Sequence, residues 1–359
     1  RIKRKETDCR EYHLQFSNCL TMQEYVVDLK KFDYEHSKRG KLKKLLAPAR
    51  SKENRAYIRE HGLRAFISHI QRELEPVYAD YQIWMKEHAV SKKALRAQRN
   101  HAFAYRPKIS AVIPLYNTPS SFLKEMLDSL LEQTYQNVEL CLADGSTDRS
   151  VGEIIRTQYG QDSRVKYQKL EKNLGISENT NAALAMAAGE YIMLADHDDI
   201  VAPDALYEIV KVLNDDPKTD IIYTDEDKVS MDGKKYYGPN FKSDFNIDLL
   251  RSVNYICHIF LVRKSIVDRI GGFNSRFDGA QDYDFILRCV EQTDRIRHIP
   301  KALYHWRAHP DSTAGNPQSK QYAVDAGRRA LEEHYQRLNI PAAVENTDIF
   351  GIYRTVMKV

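Results

Sequence analysis

Three observations predict that this 359-residue chain folds as a mixed α/β protein, a mostly parallel sheet flanked by helices with a helical region ahead of it. From Lys108 onward, short apolar runs alternate with helix-length amphipathic segments, the pattern of βα units. The stretch before Pro107 lacks that alternation. One apolar run, Tyr191-Ile-Met-Leu-Ala195, ends abruptly in Asp196-His-Asp-Asp199. A buried strand that stops in carboxylates sets them at the carboxyl edge of a sheet, where open α/β folds bind ligands. Carboxylates that close repel one another unless a cation stands between them, so Asp196 and Asp198 point to a hard divalent ion holding a diphosphate. An acidic loop start or a helix cap would use the same residues.

Taken in chain order, residues 1 to about 105 read as helical, with apolar residues at near-helical spacing over 57–70 and 74–84. Charged clusters at 38–44 and 92–99 look like helix faces or connectors, and Pro107 closes the region by pushing its predecessor out of the helical basin. The next elements are a strand over 109–115, a helix over 121–131, a strand over 138–142 and a helix over 150–159. A strand over 165–169, a helix over 177–188, the strand 191–195, a helix over 204–214 and a strand over 221–223 follow. Beyond Asp225 the pattern thins to a strand over 256–262, a helix over 282–289, a strand over 295–298 and an amphipathic helix over 323–338. The expected division is a helical basic accessory region over 1–107, an α/β domain over 108–340 and an extension over 341–359. Opening on Arg1-Ile-Lys-Arg4 and running out in the strand-like 351–359, the chain reads as a piece of a longer, multi-module protein.

Hydrophobic residues at 42% and charged residues at 29% are enough for a core and a solvated surface. No run approaches the roughly 18 apolar residues of a membrane span, and the basic, polar first residues are not those of a signal peptide. The cysteines (Cys9, Cys19, Cys141, Cys257, Cys289) are odd in number and form no CxxC pair, which argues against a zinc site or a disulfide framework and for a reducing compartment. Residues 38–99 hold sixteen Lys/Arg against six Asp/Glu, far from the net +4 of the whole. That surplus suits an anionic contact such as a membrane surface, a polyprenyl-phosphate carrier or an acidic partner, and equally a solvated helical face. No nucleic acid is expected, since neither a recognition motif nor an aromatic stacking platform is present.

Four polar loops follow predicted strands: Leu115-Tyr116-Asn117-Thr118, Ala143-Asp144-Gly-Ser-Thr-Asp148, Lys172-Asn173-Leu-Gly175-Ile-Ser177 and Asp196-His-Asp-Asp199. Parallel strands would gather them at one edge, where a nucleotide belongs. No GxxxxGK[ST] or GxGxxG follows a strand, so neither an ATPase phosphate loop nor a dinucleotide fold is supported. The resemblance rests on Ile113-Pro-Leu-Tyr-Asn117, Asp144-Gly-Ser-Thr-Asp148, Asn173-Leu-Gly-Ile-Ser177 and Ala195-Asp-His-Asp-Asp199. It is extended by Tyr223-Thr-Asp-Glu-Asp-Lys228, Gly271-Gly-Phe273, Gln281-Asp-Tyr-Asp284 and His305-Trp-Arg-Ala-His309. In this order they make residues 108–309 resemble a family-2 glycosyltransferase of the GT-A fold, most similar to bacterial enzymes that build rhamnose-containing O-antigens and cell-wall polysaccharides.

The resemblance implies an inverting, metal-dependent hexosyl- or deoxyhexosyltransferase, cytoplasmic or peripheral at the inner membrane face. Its donor would be dTDP-rhamnose or a UDP-sugar, and its acceptor a glycan or polyprenyl-linked precursor of a surface polysaccharide. Asp196 and Asp198 would position Mg2+ or Mn2+ on the donor diphosphate, with His305 or His309 completing that site and Arg307 meeting phosphate. Pro114, Tyr116, Asn117, Asp144, Asn173, Gly175 and Ser177 are expected around the nucleotide sugar, with Tyr116 against the base. Many relatives have two adjacent acids before Gly-Ser-Thr-Asp where this chain has Ala143-Asp144, so either the loop is one residue shorter or the base-reading acid is lost. Asp282 is the implied general base, and Asp225, Asp227 and Asp284 are expected at the sugar or acceptor. Two other classes stay open. One is a non-catalytic carbohydrate-binding or scaffold module that keeps the fold. The other is a nucleotidyltransferase, which would need a basic, glycine-rich loop that Pro114-Leu-Tyr-Asn-Thr-Pro119 does not supply.

Overall fold

Three short strands, β1 (Ile2–Lys3), β2 (Glu11–Gln15) and β3 (Glu24–Asp28), pair antiparallel within the first of two units in the computed structural model, Arg1–Tyr78 and Ala79–Val359. The residues described are 2–3, 11–15, 24–28, 77–308, 321–347 and 349–358. Helix was expected throughout the first hundred residues, and these strands correct that expectation. The alternation in Glu-Tyr-His-Leu-Gln and the β-branched pair in Glu-Tyr-Val-Val-Asp are each only five residues long, too short to stand out as a period. The helix expected over 57–70 and the cluster at 38–44 lie outside the described residues. Further on, α1 (Val77–His88) and α2 (Lys92–Arg99) are helical as the sequence predicts, α2 being capped by Ser91, whose Oγ accepts from the Ala94 N–H at 3.2 Å.

In the second unit, β4 (Ile109–Leu115) and β5 (Val138–Asp144) are buried at all seven positions, as strands covered on both faces must be. The edge strand β6 (Val165–Lys169), half-buried to exposed, carries Lys166 and Lys169, and β7 (Tyr191–Leu194) is fully buried. After them come β8 (Ile200–Val201), β9 (Ile221–Val229), β10 (Tyr236–Asn240), β11 (Phe260–Arg263) and β12 (Ile296–Arg307). Together they form one nine-stranded sheet in the order β6-β5-β4-β7-β11-β9-β12-β8, with β10 added on β9. Strands β6, β5, β4 and β7 run parallel; β11 enters antiparallel between β7 and β9; β9 and β12 are again parallel.

Helices α3 (Ser120–Leu131), α4 (Ser150–Ile154), α5 (Ile176–Ala185) and α6 (Ala205–Asp215) cross between the strands. The short α7 (Ile247–Leu250), then α8 (Lys264–Ile270), α9 (Gln281–Val290) and α10 (Gln321–Arg337) complete the set. Two apolar layers follow from the period-2 alternation of the strands. Ile109, Ala111 and Ile113 pack with Leu123, Leu127 and Leu130 of α3 and Ile209 and Leu213 of α6. Val112, Ile192 and Leu194 face the other way, onto Phe285 and Ile286 of α9 and Leu331 of α10. Each such buried aliphatic side chain contributes about 1.5–3 kcal/mol. The expected helix over 150–159 is α-helical only to Ile154 and continues as a π turn over Ile155–Tyr159. The strand-like end of the chain pairs as expected of a strand, β14 (Tyr353–Met357) lying antiparallel to β13 (Ala342–Asn346).

The amino-terminal side of β9 is pinned by one buried acid. Asp220 accepts from Arg263 Nε at 2.9 Å, from Thr293 Oγ1 at 2.7 Å and from Arg295 Nε at 2.9 Å. Burial alone would raise its carboxyl, but Thr293, Arg263 and Arg295 more than offset that and hold it below the usual carboxylate range. A folded-state value below the unfolded one stabilises the fold above about pH 4 and ceases to do so as pH falls through the folded value. Asp220→Ala should lower unfolding free energy at pH 7 by about 2 kcal/mol, the guanidinium of Arg295 being partly solvated. In urea melts the gap to wild type should shrink below pH 4.

Candidate active site

Register sets the site. Leu115 pairs with Asp144 and Val112 with Leu194, so the loops leaving β4, β5 and β7 begin at one edge of the sheet. The first two are laced together. Asn117, in the left-handed region at φ 48°, donates from its N–H to Ser146 Oγ at 2.8 Å, while its Oδ1 accepts from the Thr147 N–H at 2.9 Å. Asp144 is fully buried: it accepts from the Ser146 N–H at 2.8 Å and from the Tyr167 hydroxyl at 2.7 Å, with Lys169 Nζ at 3.5 Å. Tyr116 stands out from this edge, 43% exposed, a free aromatic face beside the loop. In the third loop, Asn173 Oδ1 accepts from the Gly175 N–H at 3.0 Å and from Asn179 Nδ2 at 2.8 Å. Gly175 adopts φ +90° at the start of α5, and a Cβ there would stand 3.0 Å from Asp278 Oδ2. Ser177 is buried and donates to Asp278 Oδ1 at 2.5 Å.

The antiparallel strand β11 brings in a residue that the motifs do not mark. Phe260 pairs with Leu194 in antiparallel register, so His258, two residues before Phe260, faces Asp196, two residues beyond Leu194. His258 Nε2 lies 3.4 Å from Asp196 Oδ2, and its ring, 4% exposed, stacks on Tyr304 with centroids 4.8 Å apart. Its buried Nδ1 has no hydrogen-bond partner among the described residues. Burial would pull this imidazole down, but the facing Asp196, Asp282 and Asp199 outweigh it and hold it up at about 9. Asp282, half-buried in the first turn of α9, lines the same cleft as Asp196, His258 and Pro114. Burial, with a contribution from Asp196 and against the pull of His258, raises its carboxyl to about 6. A signal for His258 was present in the sequence, since it is the one basic residue in the otherwise apolar run over 255–262.

Several expected residues fall elsewhere. Asp225 and Asp227 do not follow strand β9 but lie inside it. Asp225 Oδ1 meets His298 Nε2 at 2.8 Å and accepts from the Lys242 N–H at 2.9 Å. Asp227 accepts from the Tyr81 hydroxyl at 2.6 Å and contacts His305 Nδ1 at 2.6 Å. With both acids buried and engaged, neither is presented to a sugar or an acceptor. Asp284 is also buried, bound to Arg288 at 2.7 Å one helical turn on, so it does not face an acceptor. His305 belongs to β12 and points to the face opposite Tyr304, toward Asp227 and Tyr236, so it is His258 and not His305 that stands at Asp196. His309 lies outside the described residues.

Arg307, expected at phosphate, is instead a clamp beneath the acidic turn. Its side chain is wholly buried, its N–H donates to Asp199 Oδ1 at 2.7 Å, and its Nε donates to the Asp198 carbonyl at 2.7 Å. The remaining guanidinium contacts go to the Met231 carbonyl at 3.0 Å and to Glu125, with the ring of Phe122 at 4.5 Å. Asp199 is buried, and its carboxyl is pushed well up by burial and then by the crowding of Asp198 and Asp196. Among the described residues no group of three or more His, Cys, Asp or Glu side chains forms a ready-made metal cage. The half-buried carboxylates of Asp196 and Asp198 are nonetheless the oxygen donors that a hard divalent cation takes, with substrate phosphates supplying the rest.

The sequence model of glycosyl transferase family 2 matches residues 110–271, which span the three polar loops, the acidic turn and His258. These residues are a family-2 glycosyltransferase domain. An uncharacterized protein of Sinorhizobium fredii, y4gI, is 47% identical over 234 residues, 64% of this chain and 26% of that protein. The O-antigen biosynthesis protein RfbC of Myxococcus xanthus is 33% identical over 270 residues, 75% of this chain and 21% of that protein. This chain therefore spans about a quarter of the length of these curated relatives. The crystal structure of S. aureus TarS 1-349 in complex with UDP-GlcNAc superimposes with a TM-score of 0.52 at 20% identity, covering 67% of this chain and 68% of that one. The glycosyltransferase domain thus has the GT-A fold. No helix among the described residues is long and apolar enough to cross a membrane.

Because Arg307 is buried under the turn, Arg307→Met should lower the unfolding free energy of the glycosyltransferase by about 3 kcal/mol. A phosphate ligand would behave differently, giving an unchanged melt and weaker binding of UDP; paired thermal melts and nucleotide titrations separate the two.

Proposed function

We propose that this domain is an inverting, metal-dependent glycosyltransferase that moves a hexosyl or deoxyhexosyl unit from a nucleotide sugar to a growing bacterial surface polysaccharide or its lipid-linked precursor. One observation carries the reading: Asp282 and Asp196 line one cleft, the first at a helix start and the second at a strand end, with His258 between the two loops. Asp282, held up at about 6, is a stronger base than an ordinary carboxylate yet ionised at neutral pH. It would take the proton from an acceptor hydroxyl as that oxygen bonds to the anomeric carbon. The bond from that carbon to the diphosphate breaks in the same displacement, the nucleoside diphosphate leaves, and configuration inverts.

Mg2+ or Mn2+, held by Asp196 and Asp198, would neutralise the departing diphosphate as a Lewis acid. Pro114, Tyr116 and Asn117, with the loops ordered by Asp144, Asn173, Gly175 and Ser177, would shape the nucleotide pocket, Tyr116 offering its exposed ring to the base. The polysaccharide acceptor is supported by the likeness to an O-antigen biosynthesis protein, and a nucleotide-sugar donor by the fold shared with a protein crystallised with UDP-GlcNAc. The proposed donor is dTDP-rhamnose, with UDP-hexoses second. We also propose that residues 1–107 form an accessory region for docking to an anionic surface and that the domain of 108–340 carries catalysis. The enzyme would work at the cytoplasmic face, where the unpaired Cys141, Cys257 and Cys289 stay reduced.

The test is transfer and donor hydrolysis across a panel of nucleotide sugars with Mn2+ or Mg2+. One donor should turn over, Asp198→Asn should abolish metal-dependent donor binding, and Asp282→Asn should still bind donor while losing at least 1,000-fold in kcat, about 4 kcal/mol of barrier. Binding of a donor without turnover under any metal would leave a carbohydrate-binding module in place of the enzyme.

A further inference from the structure

The middle acid of the Asp225-Glu-Asp227 motif has a partner set of a different kind from its neighbours. Glu226 and Lys242 form a buried ion pair at 3.0 Å, the lysine side chain being wholly enclosed. Two of the three Lys242 ammonium contacts go to main chain on either side of Cys257: the Ile256 carbonyl at 2.5 Å and the His258 carbonyl at 2.8 Å. The third goes to Glu226 Oε2, which also accepts from the His258 N–H at 3.3 Å. Glu226 Oε1 accepts from Asn240 Nδ2 at 3.1 Å. Both the N–H and the C=O of His258 are therefore held by one ion pair, in a segment where Cys257 sits in the left-handed region at φ 41°.

A buried ion pair that only stabilised a fold would be a poor choice, because desolvating both charges offsets most of their attraction, and an apolar pair of similar volume does as well. Here the pair does what an apolar pair cannot, supplying one acceptor and two donors to a non-repetitive segment. We propose that Glu226 and Lys242 are positioning residues for the reaction, fixing His258 in the cleft between Asp196 and Asp282. The inference rests on the glycosyltransferase reading for its kinetic arm, but has a structural arm of its own. His258 holds the Asp196 carboxylate on one side and shares the cleft with Asp282 on the other. A main-chain shift of about 1 Å there misplaces groups on both the donor and the acceptor side, and such displacements cost on the order of a hundredfold.

The experiment compares four variants of the full chain: Lys242→Met, the charge-balanced pair Glu226→Gln/Lys242→Met, His258→Ala, and His258→Ala/Lys242→Met. Circular dichroism and thermal melts confirm that each folds; the charge-balanced pair avoids a stranded Glu226 carboxylate should Lys242→Met alone collapse. On the donor that wild type uses, the Glu226/Lys242 variants should lose about tenfold to a hundredfold in kcat, with donor KM within about threefold. Replacing Lys242 should cost nothing further once His258 is alanine, since the lysine acts through that ring. The His258 ring resonance, assigned by its absence in His258→Ala, should shift in both Glu226/Lys242 variants. Additive losses, or a His258 resonance that stays put, would overturn the proposal and leave the pair as fold stabilisation. If wild type turns over no donor, the enzymatic reading is what falls, and the ring resonance alone still decides whether the pair sets His258.

Discussion

Three carboxylates stand within four residues at the end of a strand whose every side chain is buried, and their mutual repulsion organises everything around them. Asp199 is turned inward and secured by the main-chain N–H of Arg307; the guanidinium of the same residue grips the Asp198 carbonyl from below. The Asp196 N–H donates to the Tyr304 hydroxyl at 2.9 Å, and the Asp196 carboxylate meets His258. Strand β12 thus serves the turn from both faces, Tyr304 on one and Arg307 on the other, as the two-residue period of a strand allows. Remove β12 and the acids have neither the donors nor the geometry to remain so close.

That arrangement depends on the one antiparallel strand in the middle of the sheet. A parallel neighbour of β7 would have left by the same edge and added another loop to it. Because β11 runs the other way, the chain arrives at this edge before it enters the strand, and the arriving residues include His258. The helix that follows β11 then returns through Gly271-Gly272-Phe273 to start α9 with Asp282 beside the same cleft. A Cβ on Gly272 would come within 2.2 Å of Asn181 Oδ1, so this return is packed against α5 and not left to a flexible loop.

The strands β4, β5 and β7 and the edge they define were legible because each is a short, mostly apolar run closed by a polar turn, and the acidic turn and Asp282 were legible from motif order. What the sequence did not show was which face of a strand a polar residue takes. Asp225, Asp227 and His305 looked like site residues because their motifs resemble the family's and read as segments that follow strands. They are inside the sheet: Tyr81 and His305 satisfy Asp227, and His298 with the Lys242 N–H satisfies Asp225. No local pattern distinguishes an acid that ends a strand from one that continues it when its partner lies 146 residues away. Arg307 misled for the same reason: a guanidinium suits phosphate and a crowded acidic turn equally well. His258 was missed in the opposite sense, as one polar letter in an apolar run whose antiparallel register only the fold supplies.

The inward turn of the Asp225-Glu-Asp227 motif carries a cost. Three acids and their partners Lys242, His298, His305 and Tyr81 are withdrawn from water along one strand, where well-packed apolar residues would be no less stable. What such a network supplies is direction. Each carboxylate accepts from donors on other elements: Asp227 from Tyr81 of α1, Asp225 from the main chain leaving β10, and Glu226 from the segment ahead of β11. Apolar side chains would let these elements slide by fractions of an ångström at little penalty, whereas a satisfied polar network admits one arrangement. A cleft that must hold a donor and an acceptor hydroxyl in line has use for that rigidity, and the network lies directly behind the residues that line it.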